Sequence, residues 1–240
     1  MIGFALSMVA SAFDQSHSQL NGVLKKYVAN KKADYAGLKK DQGALDSYLS
    51  SVAGVSKSEF KGWSDKQELA FLINVYNAAT LKLVVDHYPV KSIKKIGGFK
   101  GPWKQEVVQL FGKKFTLDQI EHEMIRVDYD DPRAHFAINC ASGGCPSLRS
   151  EAYRAEKLDT QLHQQGQIFF GDASKNRVDE SAGRLYLSPI FEWFKEDFVK
   201  KSGSVEKFIA PFLPEAQRSA VLSGKLKIVY TDYDWKLNQK

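Results

Sequence analysis

Cysteine is scarce in this 240-residue chain. Two residues, Cys140 and Cys145, are too few for a disulfide scaffold. Proline (7) and glycine (17) are not enriched, which excludes collagen-like and low-complexity chains. With 43% hydrophobic and 26% charged residues, the composition is that of a folded protein rather than a disordered one. No uninterrupted run of about eighteen apolar residues marks an integral membrane span. The patterns G-x-x-x-x-G-K-[ST], H-E-x-x-H, G-x-S-x-G and C-x-x-C are all missing. Gly97-Gly98-x-x-Gly101 lacks the strand–helix setting of a dinucleotide fingerprint. ATP, nicotinamide and conventional zinc chemistry therefore have no support, and no cofactor or metal is expected.

Residues 1–13, MIGFALSMVASAF, carry no charged side chain. An apolar run closing on Ala10-Ser11-Ala12 has the form of a secretory signal, although no basic residues precede it. Cleavage after Ala12 would deliver a periplasmic or secreted protein, a setting in which disulfides form. The remainder, from residue 13, reads as a single domain. Helical spacing is present in Gln19–Val28, Ala44–Val52 and, most extensively, Leu69–Val85. Ser64-Asp-Lys-Gln67 is a capping-box pattern at the start of that last helix, and Pro89 lies just beyond its end. Val107–Leu110 and Lys114–Thr116 flank Phe111-Gly112-Lys113 as a hairpin, followed by a helix over Leu117–Arg126. Ala134–Asn139 is expected as a short buried strand running into a glycine turn. Helices are expected at Ala152–Phe170 and Ile190–Phe198, with strands at Arg184–Leu187 and Lys225–Tyr230. The sum is a helix-rich α+β fold with a small, mainly antiparallel sheet.

Charge is uneven. Between Val90 and Phe115 stand Lys91, Lys94, Lys95, Lys100, Lys104, Lys113 and Lys114 against one acid, Glu106. This window accounts for the formal net charge of +6. Such a field favours an anionic envelope polymer or surface as partner. Nucleic acid is not expected, because no recognised binding module is present.

Asn74 and Asn77 sit on one face of an otherwise apolar helix. Burying two carboxamides without partners would cost on the order of 1–3 kcal/mol each, so something must bond to them. They either fasten a neighbouring backbone or orient an active-site group or substrate amide. The loop Arg133-Ala-His135-Phe-Ala-Ile-Asn139-Cys140-Ala-Ser142-Gly143-Gly144-Cys145 gathers both cysteines, a histidine and a glycine pair. The glycines suggest positive φ and exposed N–H groups able to hold an oxyanion, with Arg133 and Ser142 as further substrate contacts. A cysteine beside histidine can become a nucleophile. An extended 134–139 strand would separate His135 from Cys140 by roughly 16 Å on opposite faces. His135 would then serve Cys145 across the turn, or Cys140 would meet His122. The pair Cys140/Cys145 is open to four readings: a disulfide, two inert thiols, a catalytic thiol, or part of a metal site. Glu121, beside the apolar stripe of its helix, is the candidate inward carboxylate, with Arg133 or His135 as partner.

Taken together, these motifs closely resemble the domain-of-unknown-function 547 family over about Asp34–Phe212. The resemblance rests on Asp34-Tyr35-x-x-Leu38, Leu69-Ala-Phe-Leu-Ile-Asn74-Val-Tyr-Asn77-Ala and His87-Tyr88-Pro89. It continues through Leu117-Asp118-x-Ile120-Glu121-His122, Asp131-Pro132-Arg133-x-His135-Phe136-Ala137 and Cys140-Ala141-Ser142-x-x-Cys145-Pro146. Ser188-Pro189-Ile190-Phe191-x-Trp193 and Glu196-Asp197-Phe198 complete it. The family brings no settled activity. By analogy it is similar to papain-like and transglutaminase-like cysteine hydrolases, in which cysteine precedes histidine. Here His135 precedes both cysteines, so the arrangement would be permuted or His163 would serve. Two functions are expected on this basis. One is a cysteine-dependent hydrolase or acyltransferase of peptide-like amide bonds in the cell envelope, using Cys140 or Cys145, His135 and Asn74, Asn77 or Glu121. The other is a non-catalytic binding module whose lysine-rich surface contacts an anionic partner.

Overall fold

The computed structural model describes residues 12–240. The signal-sequence expectation, which falls on residues 1–12, lies almost wholly outside them. The fold is α+β, mostly helical, with three small sheets among the described residues. Its axis is the helix Asp65–His87, opened by the Ser64/Gln67 capping box. By length and composition this helix is apolar enough to cross a membrane, with a mean hydropathy of 1.3. An uninterrupted apolar run is still absent, because Asn74, Asn77 and Lys82 break it. Within the fold, 94% of that apolar window is buried, as in a core helix. Ser18–Tyr27, Gly43–Ala53 and the hairpin Glu106–Leu110/Lys113–Thr116 pack around it, so that residues such as Phe71, Val75 and Ala78 are wholly out of solvent.

A second core is built from phenylalanine. Phe136 lies 5.5 Å, ring to ring, from both Phe169 and Phe212, and Phe191, Phe198 and Phe208 complete the cluster. Over it lies a three-stranded sheet. Arg177–Asp179 pairs antiparallel with Arg184–Leu187, which pairs parallel with Lys227–Tyr230.

Three local expectations need correction. Ala134–Ala137 is a helical turn, not a strand. A short buried apolar run does not distinguish the two by periodicity, and the Asp131 and Pro132 carbonyls accept the N–H groups of Ala134 and His135. The helix expected from Ala152 begins at Leu158, after a 3-10 turn over Ala155–Lys157, because Tyr153 is held extended against Asn74. The helix expected over Ile190–Phe198 is two helices, Ile190–Trp193 and Lys195–Ser202, broken at Phe194.

Candidate active site

Asn77 is where the two conspicuous motifs meet. Its Nδ2 donates to the Ala137 carbonyl at 2.9 Å and its Oδ1 accepts the Asn139 N–H at 2.8 Å. Asn74 does the same for the carbonyl and N–H of Tyr153. Both carboxamides are thus consumed by backbone. They fasten loops and do not face a substrate, which corrects their assignment as orienting groups. Asn139, itself buried, carries the fastening onward: its Nδ2 donates to the Pro146 carbonyl, and its Oδ1 accepts from the Ala141 N–H and from Asn238.

The loop so fixed ends in a disulfide between Cys140 and Cys145. In this form neither sulfur is a thiol. Gly143 and Gly144 do not supply an oxyanion nest: their N–H groups donate to the carbonyls of Lys236 and Asp234. Neither has positive φ; the left-handed residue of the turn is Ala141, at φ 60°. The glycines are needed for close approach instead. A Cβ on Gly144 would stand 2.8 Å from the Tyr233 ring, and one on Gly143 2.6 Å from the Asp234 carboxylate. Ser142 is buried under the disulfide, its hydroxyl near Cys145 Sγ (3.3 Å) and the Tyr233 hydroxyl (3.2 Å). Arg133 is engaged elsewhere, on Asp131 and Asp159, and pairs with neither Glu121 nor a substrate position.

Both cysteines line a cleft of about 260 Å³. Its walls are aromatic: Trp103, Trp193, Tyr233 and Trp235 form a connected group, with the Tyr233 and Trp235 rings 4.5 Å apart. Its polar lining includes Tyr76, Asp118, Glu121, His122 and His135. Glu121 sits where the 117–128 helix winds as a π-helix over Ile120–Ile125, a local irregularity frequent at functional sites. Burial pushes its carboxyl up to about 7; Tyr76 and Arg126 oppose the shift, and the Asp118 charge adds to it. Near neutrality Glu121 therefore holds a proton for a large part of the time.

His135 is oriented by a carboxylate. Its Nε2 lies 2.7 Å from Asp197 Oδ2, and its ring stacks on Phe194 at 4.1 Å. Asp197 also receives Nε and Nη2 of Arg126, at 2.7 and 2.9 Å. Burial pushes the Asp197 carboxyl up, but the hydrogen bonds from His135 and Arg126 outweigh it and hold the group well below the usual carboxylate range. Burial pushes the His135 imidazole down, against the pull of Asp197. The imidazole is then neutral at pH 7 and donates through Nε2. Its Nδ1 has no hydrogen-bond partner among the described residues, and the residue lies in the cleft lining. His122 also reaches the cleft, whereas His163 packs on Phe212 and is not part of the lining.

Of the residues expected at a site, Cys140, Cys145, His135 and Glu121 come together; Asn77 supports them from behind, and Arg133 and Asn74 lie apart. Asp197, Tyr76, Tyr233 and the tryptophans carry no sequence assignment as site residues. Asp197 stands within the Glu196-Asp197-Phe198 motif, in the first turn of the helix Lys195–Ser202. That motif was the available signal. For the C-terminal aromatics, only the Tyr233-x-Trp235 cluster itself pointed to a wall.

The fold and the cleft define a class: a helix-rich α+β domain with an aromatic pocket floored by a disulfide and lined by a carboxylate-oriented imidazole. Residues 60–170 match the model of the family described as "Protein of unknown function, DUF547". No curated protein and no solved structure matches the chain. The matched span contains the Asn77 clamp, Glu121, His135 and both cysteines. Asp197 and three of the four wall aromatics come from beyond it.

Proposed function

We propose that the cleft is the active site of an exported cysteine-dependent hydrolase or acyltransferase acting on peptide-like amide bonds, with Cys140 as nucleophile in the dithiol form. The observation that carries this reading is the His135 ring, anchored through Nε2 on Asp197, in the lining of the same cleft that presents Cys140. A nucleophile, a base and an orienting third group are the parts such chemistry needs. Cys140 is favoured over Cys145 because it is half-buried, whereas Cys145 is only 3% exposed. The Cys145 sulfur also accepts the Cys140 N–H at 3.0 Å, whereas the Tyr233 hydroxyl is near both sulfurs.

The oxidised form is inactive in this scheme. A dithiol reductant opens the Cys140–Cys145 bond and ends as a disulfide itself. The Cys140 thiol then gives its proton to His135 Nδ1, and its sulfur attacks the amide carbonyl. The C–N bond breaks as the amine takes the proton back from His135, leaving a thioester on Cys140. Water or a second amine attacks the thioester and restores the thiol. The Tyr233 hydroxyl, 3.2 Å from Cys140 Sγ, and the protonated Glu121 are the donors at hand for the carbonyl oxygen. The tryptophan walls offer flat apolar platforms for substrate side chains.

The test is to incubate the protein, oxidised and reduced, with fluorogenic peptide amides and with a peptidyl chloromethyl ketone, locating the adduct by mass spectrometry. Turnover and an adduct on Cys140 are expected after reduction only, and both are lost in Cys140→Ser. His135→Ala is expected to lower turnover by roughly 100-fold or more, and Asp197→Asn to lower kcat with little change in KM. Turnover by Cys140→Ser equal to that of the parent would overturn the proposal.

A further inference from the structure

We infer that the loop between Lys91 and Lys104 is a docking element for an anionic lipid surface, set at the mouth of the cleft. Its apex is Phe99, whose side chain is wholly exposed, at 114% of its reference area. The loop that carries it is not slack. Ile93 and Ile96 are buried beneath it, and the Ser92 hydroxyl caps the 3-10 turn Ile93–Lys95. Gly97, Gly98 and Gly101 take positive φ (83°, 54° and 72°), conformations that side-chain-bearing residues rarely adopt. Gln105 Nε2 closes the bend on the Gly101 carbonyl at 2.9 Å. A large aromatic ring is therefore held out in water by a built turn.

Around the apex stand Lys94, Lys95, Lys100 and Lys104, all exposed, with no acid from Val90 to Gln105. None of these four lysines, nor Lys91, forms an ion pair among the described residues. Lys94 Nζ lies 4.5 Å from the ring centre of Trp235, and Trp235 packs on Trp103, so the loop is joined to the cleft wall. An apolar tip ringed by cations matches an anionic bilayer face, where the ring enters the acyl boundary and the ammonium groups stay at the phosphates. A sugar chain held by aromatic stacking needs a ring set in a groove or on a flat platform, whereas Phe99 stands alone at a protruding apex, so the exposed ring favours lipid. Docked in this way, the cleft would open toward whatever the membrane surface presents, whether or not its cysteines are catalytic.

Sedimentation with phosphatidylglycerol vesicles and with phosphatidylcholine vesicles, at low and high salt, tests the inference on the full chain. Binding is expected to the anionic vesicles alone and to weaken as salt screens the lysines. The triple variant Lys94→Gln/Lys95→Gln/Lys100→Gln is expected to lose roughly 100-fold in partitioning. Phe99→Ala, at a fully exposed site that leaves folding untouched, is expected to lose about tenfold. No binding to phosphatidylglycerol at low salt, or binding that Phe99→Ala leaves unchanged, would overturn it. So would capture by a soluble anionic polysaccharide with no affinity for vesicles. None of these outcomes depends on turnover or on the state of the disulfide.

Discussion

Replacing Asn77 by alanine is expected to destabilise the protein by roughly 2–6 kcal/mol. The variant leaves the Ala137 carbonyl and the Asn139 N–H, both inside the fold, without the partners they have at 2.9 and 2.8 Å. A buried backbone group without a partner loses its hydration and gains nothing in exchange, which is why the penalty exceeds the worth of the bonds themselves. The damage should also be local in a particular way. Asn139 ties Pro146, Ala141 and Asn238 together, so a loosened 137–139 segment releases the turn that carries Cys140 and Cys145. Chemical unfolding of the variant checks the size of the effect, and hydrogen exchange checks that protection is lost first at residues 139–145. A loss below about 0.5 kcal/mol would mean that the clamp is not what holds this loop.

The second large effect is a dependence on pH. The Glu121 carboxyl is 8% exposed and its pKa is raised by burial from 4.5 to about 7. Between those two values the folded protein keeps a proton that the unfolded chain has released. Stability contributed by the protonated group is therefore complete below the lower value and is lost as pH rises through the upper one. Glu121→Gln mimics the protonated form without titrating. It is expected to unfold like the parent protein near pH 4 and to be more stable than it at pH 8 by roughly 3 kcal/mol. Thermal or urea unfolding of both proteins across that range provides the check. A variant less stable than the parent at pH 8 would show that the ionised carboxylate is well satisfied in its pocket.

The elements that a sequence states locally were legible. Ser64 and Gln67 announced the start of the long helix because a capping box involves residues only three apart. The hairpin around Phe111-Gly112 and the strand Arg184–Leu187 were likewise visible in short-range pattern. The 134–139 segment was not, because Ala134, Phe136 and Ala137 are buried on all sides and a buried turn of helix has no polar face to give it a period. The site divided along the same line. His135, Cys140, Cys145 and Glu121, the candidates that stand in compact motifs, line one cleft. Asp197 reaches His135 across 62 positions of chain, and Tyr233 reaches Cys140 across 93, distances over which no spacing rule operates. The two asparagines show the limit differently. Their need for partners could be argued from their setting in an apolar helix, but that those partners were backbone rather than substrate required the fold.

In the proposed scheme Cys140 becomes an activated thiol served by His135 once the disulfide is opened. The most direct measurement is the pH dependence of its alkylation by iodoacetamide in the reduced, folded protein, read by peptide mass spectrometry. The prediction is a rate that is already high well below the ordinary thiol pKa of about 8.5 and that drops toward ordinary behaviour in His135→Ala and Asp197→Asn. A rate that rises only at the ordinary thiol value, the same in all three proteins, would contradict it.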